Sequence, residues 1–383
     1  MRLETLIASA REQGASDVHL EGGFPATFRV RGNLKRQGDA LPAALLTSFA
    51  RELLLGDEWN GFVERGSADL SRVLAGQRCR LNVLRTSRGV GFAIRLLTSS
   101  QATLKSLNLH PDLVRLVRPT HGLALVCGPT GSGKTSTLAA LLQEINLHEA
   151  RHIITVESPV EYSLQPRKSF IRQREVGRDT PSFEQALLDS LREDPDVLMV
   201  GELRDPEVMR LTLSAAETGH LVLATLHSSK ASEGLQRLVS AFAPEVQQSV
   251  CAQLADVLVG VVAQRLRFRE PQKLLVPECE VLMASSSVRA LMRQGQFFKL
   301  ASAMETGAAE GSYTFSRYGE WLAKKTDFVE PSASLEPATE APPPPLPALN
   351  AAPRKTSVTD DGTLVINEED DDLSSIIEAL EKP

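Results

Sequence analysis

The chain has 383 residues, a formal net charge of −6 and 42% hydrophobic residues. This length allows two domains and a tail, with enough apolar side chains to build real cores. The acidic balance argues against a protein that binds nucleic acid directly, because such proteins are strongly basic. No apolar run approaches the roughly eighteen residues of a membrane-spanning helix, and charges throughout residues 1–14 argue against a signal peptide.

The cysteines are widely spaced and form no C-x-x-C pair. They therefore predict neither a zinc site nor a disulfide framework, and a reducing cytoplasm is the simplest location. Any association with a membrane is then expected to be peripheral and to come through partners. The four cysteines are Cys79, Cys127, Cys251 and Cys279.

The region before residue 104 predicts a small α+β domain, which we place at residues 1–103. Apolar residues recur at helical spacing near the start and predict a short amphipathic helix over residues 3–14. Strand-like alternation follows in four places. These predicted strands are Val18–Leu20, Phe28–Val30, Arg80–Val83 and Phe92–Leu96.

Residues 104–330 show a different pattern, in which apolar strands alternate with helix-length stretches. This order predicts a mostly parallel sheet covered by helices. Ser182 is the predicted N-cap of one helix, which ends before Asp194-Pro195. A last helical region is predicted from about Pro244 to Leu300. The four predicted strands are Leu123–Cys127, Ile153–Val156, Val197–Val200 and Leu221–Leu226.

The composition changes again after residue 330. Prolines, alanines and an acidic run at Glu368–Asp372 cannot bury enough apolar surface to fold alone, so residues 331–383 are predicted to be a disordered tail. Its last residues allow a short helix that docks on a partner, and a frayed terminus without function is an equal alternative. The residues that share this helical face are Leu373, Ile376, Ile377 and Leu380.

The most specific motif is a glycine-rich loop directly after the first of the four strands. It fits G-x-x-x-x-G-K-[ST] in the required strand-loop-helix setting. Its glycines let backbone N–H groups and the start of the next helix face phosphate oxygens. Lys134 is predicted to reach the β- and γ-phosphates and Thr135 to hold Mg²⁺. The predicted ATP contacts are Gly128, Pro129, Thr130, Gly131, Ser132, Gly133, Lys134, Thr135 and Ser136.

Phosphoryl transfer needs carboxylates that organise Mg²⁺ and water. The apolar run Val197–Val200 leads to Glu202 at its carboxyl end, the edge where the phosphate loop also lies in an open α/β sheet. The strand that ends at Val156 leads to Glu157 and Glu161. Solvated acidic loops are the alternative interpretation for each of the three glutamates.

Two histidines flank the fourth strand. His227 follows its carboxyl end, where an imidazole can lie near the γ-phosphate, and His220 precedes its amino end. An ordinary structural histidine is the alternative interpretation for both, and it is the stronger one for His220.

Several ordered motifs across residues 1–325 closely resemble the type IV pilus retraction ATPases (PilT type) of the secretion ATPase superfamily. They are Ser16–Leu20, Gln173–Val176, Leu191–Asp196, Val200–Asp205, Ala215–His220 and Thr225–His227. The resemblance implies an α/β chain with a PAS-like α+β N-terminal domain, a RecA-like P-loop ATPase domain and ATP at the subunit boundaries of a homohexamer. It implies a cytoplasmic motor at the inner-membrane pilus base, which retracts pili in twitching motility and contacts an inner-membrane platform protein.

The resemblance also implies roles for individual residues. Lys134 and Thr135 match the Walker A pair, and Glu202 matches the Walker B glutamate, which acts on Mg²⁺ mainly through water. Glu157 and Glu161 match the acidic box, in which Glu161 is the preferred general base. His220 and His227 match the histidine box, with His227 at the reaction centre and His220 at the nucleotide.

Arginines of the N-terminal domain complete the nucleotide site in these rings. The segment Arg78–Asn82 and two further arginines align with that region. Positive charge there offsets the charge of the transferring phosphoryl group, and ordinary surface arginines are the alternative. The candidates are Arg80, Arg88 and Arg95.

Four further features choose among relatives and leave alternatives open. The chain lacks the extra N-terminal domain and four-cysteine module usual in assembly ATPases, and Ser287–Gln294 loosely resembles a retraction signature, so both favour the retraction branch. Ser158 stands where relatives carry an aspartate. Because one carboxylate near the nucleotide is then absent, a weakly hydrolytic nucleotide-binding regulator is an alternative function. The acidic tail allows an accessory PilU-type ATPase that acts beside a paralogous motor.

Overall fold

The computed structural model describes residues 2–30, 32–96, 102–330, 356–358 and 364–366. Two compact units are present, Met1–Leu335 and Glu336–Pro383. The predicted domain boundary at residue 103 adjoins residues that are not described, and it stays a prediction. In the second unit two short strands, Thr356–Val358 and Leu364–Ile366, pair antiparallel. The rest of the predicted tail, including the terminal helix, lies outside the described residues.

The N-terminal part is an antiparallel sheet with helices packed on it. Among the described residues, six strands follow the order β3-β2-β1-β6-β5-β4. The elements in chain order are α1 (Leu3–Glu12), β1 (Ala15–Leu20), β2 (Pro25–Val30), β3 (Asn33–Ala40), α2 (Ala43–Leu53), α3 (Asp57–Arg65), β4 (Ser67–Leu74), β5 (Gln77–Thr86) and β6 (Gly89–Leu96).

Burial in this part follows the periodicities of the sequence. In α1 the residues at helical spacing, Leu3, Leu6, Ile7 and Ala10, are all buried. In β2, buried residues alternate with half-buried ones, as expected for a sheet with one face on a core. The predicted helix and all four predicted strands are present, so the α+β prediction for this region is confirmed.

The second part is a mainly parallel sheet with helices on both faces. Its first elements are a 3₁₀ helix at Pro111–Leu116, β7 (Gly122–Cys127), α4 (Lys134–His148), β8 (His152–Glu157), β9 (Phe170–Glu175), α5 (Phe183–Ser190), β10 (Val197–Val200), α6 (Pro206–Glu217) and β11 (Leu221–Leu226). The later elements are α7 (Ala231–Ser240), α8 (Pro244–Val257), β12 (Leu258–Arg269), β13 (Leu274–Met283), α9 (Ser286–Arg293), a 3₁₀ turn at Phe297–Lys299, α10 (Leu300–Thr306) and α11 (Phe315–Lys324).

The order of this sheet places the candidate site. Seven strands of the described chain run β13-β12-β7-β11-β10-β8-β9, and each neighbouring pair is parallel except β12 and β13. Strands β7, β10 and β11 are fully buried because helices cover both faces. The parallel sheet predicted from four apolar strands is confirmed. Since these strands run the same way, the segments that follow them meet at one edge.

The predicted helix after Ser182 is also confirmed. Ser182 Oγ accepts a hydrogen bond of 3.1 Å from the backbone N–H of Gln185, which satisfies one of the free donors at the helix start. The helix ends at Ser190, ahead of Asp194-Pro195 as predicted.

The predicted helical region from Pro244 to Leu300 is wrong in its middle. Helix α8 ends at Val257, and the chain then forms the antiparallel strands β12 and β13 before α9 begins. In the described chain, no helix is both long and apolar enough to cross a membrane.

Helix α9 contains most of the segment that resembles the retraction signature. The Arg289 guanidinium donates to the backbone carbonyls of Ala255, Asp256 and Leu258 at the end of α8. A cation at this position compensates the carbonyl end of a helix. Arg293 pairs with the Asp256 carboxylate. These hydrogen bonds and this ion pair hold α9 against the end of α8.

Candidate nucleotide-binding site

The glycine-rich loop joins β7 to α4 at the carboxyl edge of the sheet. An added Cβ at Gly128 would overlap Ser132 Oγ and lie 2.6 Å from the carbonyl oxygen of Gln264, so only glycine fits. Gly133, at the start of α4, has a φ of 86°, which other residues rarely adopt. The loop therefore curls tightly, and the first turn of α4 is directed at the space it encloses.

Gln264 on β12 is hydrogen-bonded to this loop. The sequence does not predict a role for this residue. Its side chain is 2% exposed. Its Nε2 donates to the carbonyl of Ser132 at 2.6 Å, and its Oε1 accepts from Thr137 Oγ1 at 2.6 Å. One amide thus fixes both the loop and the first turn of α4.

Replacing Gln264 by leucine is expected to lower the free energy of unfolding by about 2–6 kcal/mol. The change leaves the Ser132 carbonyl and the Thr137 hydroxyl buried without partners, at about 1–3 kcal/mol each. The loop also loses its support, so the Kd for ATP should rise. Urea unfolding and ATP titration check this, with Gln253→Leu, a partly exposed glutamine of α8, as the control. Equal stability and affinity in both variants would contradict it.

Lys134 lies in the loop with carboxylates nearby. Its Nζ donates to the carbonyls of Gly128 at 2.9 Å and Pro129 at 3.1 Å. Burial lowers the pKa of Lys134, and the charges of Glu202 and Glu161 act in the opposite direction. The structure therefore brings together the lysine and two of the three predicted glutamates.

Glu202 follows β10 and is held by two cationic or hydrogen-bonding side chains. His227 Nε2 lies 2.7 Å from Glu202 Oε1, and Arg204 Nη2 lies 2.6 Å from Oε2. Burial opposes ionisation, but Arg204, His227 and Lys134 hold the pKa of Glu202 below its usual range. Glu202 is therefore an ionised group that interacts electrostatically with Lys134, and His227, which follows β11 at the same edge, is its partner.

The two glutamates of the acidic segment, which comprises residues 157–161, lie in different environments. The Glu157 side chain is buried and accepts hydrogen bonds from Thr155 Oγ1 at 2.6 Å and Gln173 Nε2 at 3.1 Å. The backbone N–H of Glu161 also lowers the pKa of Glu157 against the effect of burial. Glu161 is half-buried and acts electrostatically on Lys134. Glu157 thus supports the backbone at Glu161, and Glu161 is the group near the lysine. Ser158 between them is exposed.

The stability of the protein is expected to fall with rising pH because of Glu157. Burial raises the pKa of Glu157 from 4.5 to about 7. Since the folded state binds this proton more tightly than the unfolded state, the contribution is full at low pH and disappears as pH rises through about 7. Between about pH 5 and pH 8 the loss is about 2–3 kcal/mol. Urea unfolding of wild type and Glu157→Gln measures it; parallel pH profiles would contradict the prediction.

Four predicted nucleotide contacts lie elsewhere in the chain. His220 precedes β11, whose six residues place it about 20 Å from the carboxyl edge. Its Nδ1 lies 3.0 Å from the carbonyl of Ala215, so it acts locally and does not contact a phosphate in the loop of its own chain.

The three arginines belong to the N-terminal sheet and are exposed. Arg95 Nε donates to Asp17 at 3.0 Å, and Arg80 lies opposite Arg95 on the neighbouring strand. Arg88, in the turn after β5, stacks 4.6 Å from the ring centroid of Phe24. No contact joins them to the loop in the described part of the chain.

The residues at this edge fit Mg²⁺ bound together with phosphates. No three His, Cys, Asp or Glu side chains of the described residues converge on a metal site. Mg²⁺ on a nucleotide needs only one or two protein oxygens beside phosphates and water. An ionised Glu202 and the Thr135 hydroxyl at the start of α4 meet that need. Ser132 Oγ, buried without a partner, is a further polar atom inside the loop.

Comparison with known proteins agrees with this geometry. The chain matches the family described as "Type II/IV secretion system protein" over residues 2–314. The type IV pilus retraction ATPase PilT of Pseudomonas aeruginosa is 36% identical over 327 residues, which are 85% of this chain and 95% of that protein. The type IV pilus ATPase PilU of the same organism is 33% identical over 322 residues, or 83% of this chain and 84% of PilU.

A solved structure gives the same result. The crystal structure of the pilus retraction motor PilT with bound ADP superimposes with a TM-score of 0.76 at 35% identity, covering 84% of this chain and 96% of PilT. The predicted fold class, an α+β N-terminal domain followed by an α/β P-loop ATPase domain, is confirmed. The chain therefore belongs to the type II/IV secretion system protein family, and the retraction ATPase PilT is among its relatives.

Proposed function

We propose that this chain is an ATP-hydrolysing motor that drives type IV pilus retraction. One observation carries the proposal: the phosphate loop, the Glu202–His227 pair and Glu161 meet at one edge of the sheet. The similarity to PilT over most of both chains supports retraction as the work that hydrolysis performs. We infer the motor activity from PilT, which is named as a retraction motor and has the same fold as this chain.

The phosphates of ATP are held by the backbone N–H groups of the loop and by Lys134, which moves from the carbonyls it now contacts. Thr135 and Glu202 would hold Mg²⁺, Glu202 mainly through water, and the ion would supply positive charge beside the phosphate oxygens. Arg204 and His227 keep Glu202 ionised and correctly oriented for that role.

Glu161 is the group we assign as general base for the attacking water. It carries a carboxylate near Lys134, whereas the carboxyl of Glu157 is turned into the protein. We therefore give Glu157 a supporting role, in which it fixes the backbone at Glu161. His227 is suited to contact the γ-phosphate, because its imidazole lies at the same edge and is oriented by Glu202.

The arginines of the N-terminal sheet suggest how subunits combine. Arg80 and Arg95 are exposed and lie away from the loop of their own chain. We propose that the chain forms a homohexamer in which N-terminal arginines act at a nucleotide site on a subunit boundary. Rigid-body rotation between domains 1–103 and 104–330 then converts hydrolysis into force. The location is the cytoplasmic face of the inner membrane, on a platform protein of the pilus base.

Retraction in living cells tests this function. A strain that lacks this gene is complemented with wild type or with Glu202→Gln, and retraction of labelled pili is counted. We expect wild type to restore retraction and the variant, which loses the ionised group that interacts with Lys134, to fail at equal protein level. Equal restoration by both proteins would contradict the proposed site.

An accessory role is the second candidate, and the similarity to PilU favours it. In that case the chain retracts pili only beside a paralogous principal motor. Expressing it alone in a strain without that motor distinguishes the two roles: retraction supports a principal motor, and retraction only when both are present supports the accessory one.

A further inference from the structure

One ion pair among the described residues joins the N-terminal sheet to strand β9. Arg78 lies at the start of β5, and its Nη2 is 3.0 Å from Oε2 of Glu175 at the end of β9. Both side chains are largely buried, at 21% and 9% exposed. A pair with this little solvent is screened far less than the surface pairs of the same sheet.

The same carboxylate oxygen also holds the acidic segment. Glu175 Oε2 accepts a hydrogen bond of 3.2 Å from the backbone N–H of Val160. Val160 is fully buried and directly precedes Glu161. A contact made by an N-terminal arginine therefore reaches, through one oxygen atom, the backbone next to the proposed base.

Further contacts hold Glu175 in position. Arg178 Nη1 lies 3.8 Å from its Oε2, and the Glu175 backbone N–H donates to Asp179 at 2.9 Å. The charge of Arg78 also acts on Glu157 and lowers its pKa against the effect of burial. Arg78 is the cation in this cluster that comes from the N-terminal sheet; Arg178 belongs to the same part of the chain as Glu175.

We propose that Arg78 is a positioning residue. Through Glu175 it holds the acidic segment in the conformation needed for hydrolysis when the N-terminal domain is docked. When the N-terminal sheet is docked, Arg78 fixes Glu175, and Glu175 fixes Val160 and hence Glu161. When the domains separate, the ion pair breaks and the segment is less restrained. Hydrolysis is thereby favoured in the docked arrangement. This inference deepens the proposed function and rests on Glu161 as the base.

ATPase kinetics of the full chain test it with Arg78→Gln, Glu175→Gln and the double variant. We expect each single variant to lower kcat about 10- to 100-fold with KM for ATP little changed, since a small misplacement of a catalytic group has an effect of that size. Because both residues act along one path, the double variant should be no worse than the worse single one. Losses that multiply would overturn the proposal.

Arg72→Gln is the matched control, because Arg72 pairs with Glu58 at 2.7 Å wholly within the N-terminal part. It should leave kcat unchanged. A second measurement does not depend on turnover: amide hydrogen exchange at residues 157–162 should speed up in Arg78→Gln and not in Arg72→Gln. Unchanged exchange in Arg78→Gln overturns the proposal even if the protein is an active ATPase, whereas absent wild-type hydrolysis with faster exchange contradicts only the proposed function.

Discussion

Replacing Lys134 by alanine is expected to abolish ATP hydrolysis while the fold stays intact. Lys134 is the cation of the loop, and the neighbouring groups Glu202 and Glu161 carry negative charge. Without it, the loop has no cationic side chain to compensate the charge that develops on the phosphoryl group in the transition state. Removal of one such preorganised donor lowers kcat about 10²- to 10³-fold.

The fold should survive this change because the hydrogen bonds of Lys134 are local. Its Nζ contacts carbonyls of Gly128 and Pro129 in the same loop, not a distant element. Phosphate release under saturating Mg²⁺-ATP measures the loss, and thermal unfolding verifies the fold. Lys230→Ala is the control, since Lys230 forms an exposed pair with Glu233 at 3.6 Å. ATPase activity of Lys134→Ala equal to that of the control would refute the assigned site.

The second large effect is expected from Glu161→Gln. Loss of a general base lowers turnover about 10²- to 10⁴-fold, whereas ATP binding depends on the loop and should be retained. Glu157→Gln should cost less, because the Glu157 carboxyl, with its pKa raised by burial to about 7, is already protonated in part near neutral pH. The amide also preserves much of its hydrogen bonding.

The two variants form a matched pair because they are four residues apart in one segment. Single-turnover hydrolysis and nucleotide titration separate chemistry from binding. If Glu157→Gln loses more turnover than Glu161→Gln, the base is Glu157 and the assignment made from burial is wrong.

Local patterns predicted most of the fold. Strands β7, β8, β10 and β11 are short apolar runs bounded by turn signals, and the helix after Ser182 begins with a recognisable cap. The sequence pattern does not predict strands β12 and β13, because α8 runs into β12 at Val257–Leu258 with no glycine or proline between them. Valines at 257, 259, 261 and 262 were the available sign, since β-branched residues favour strands.

In the candidate site, residues that follow predicted strands could be placed from the sequence, whereas residues that come from unpredicted strands could not. The loop, Glu202 and His227 follow neighbouring parallel strands, so their meeting was predictable from topology. Gln264 supports the loop from a strand that the sequence did not predict, and its one sign was a polar residue after an apolar run. The motif groups His220 with His227, but a strand of six residues separates them.

ATP at this loop is expected to be hydrolysed and not merely held, although residue 158 of the acidic segment is a serine and supplies no carboxylate. Steady-state phosphate release by the purified full chain, with ATP binding measured on the same sample, distinguishes hydrolysis from binding alone. We expect Mg²⁺-dependent turnover that saturates with ATP and disappears in Lys134→Ala. Tight ATP binding with turnover no higher than that of Lys134→Ala would contradict the motor and favour a nucleotide-binding regulator.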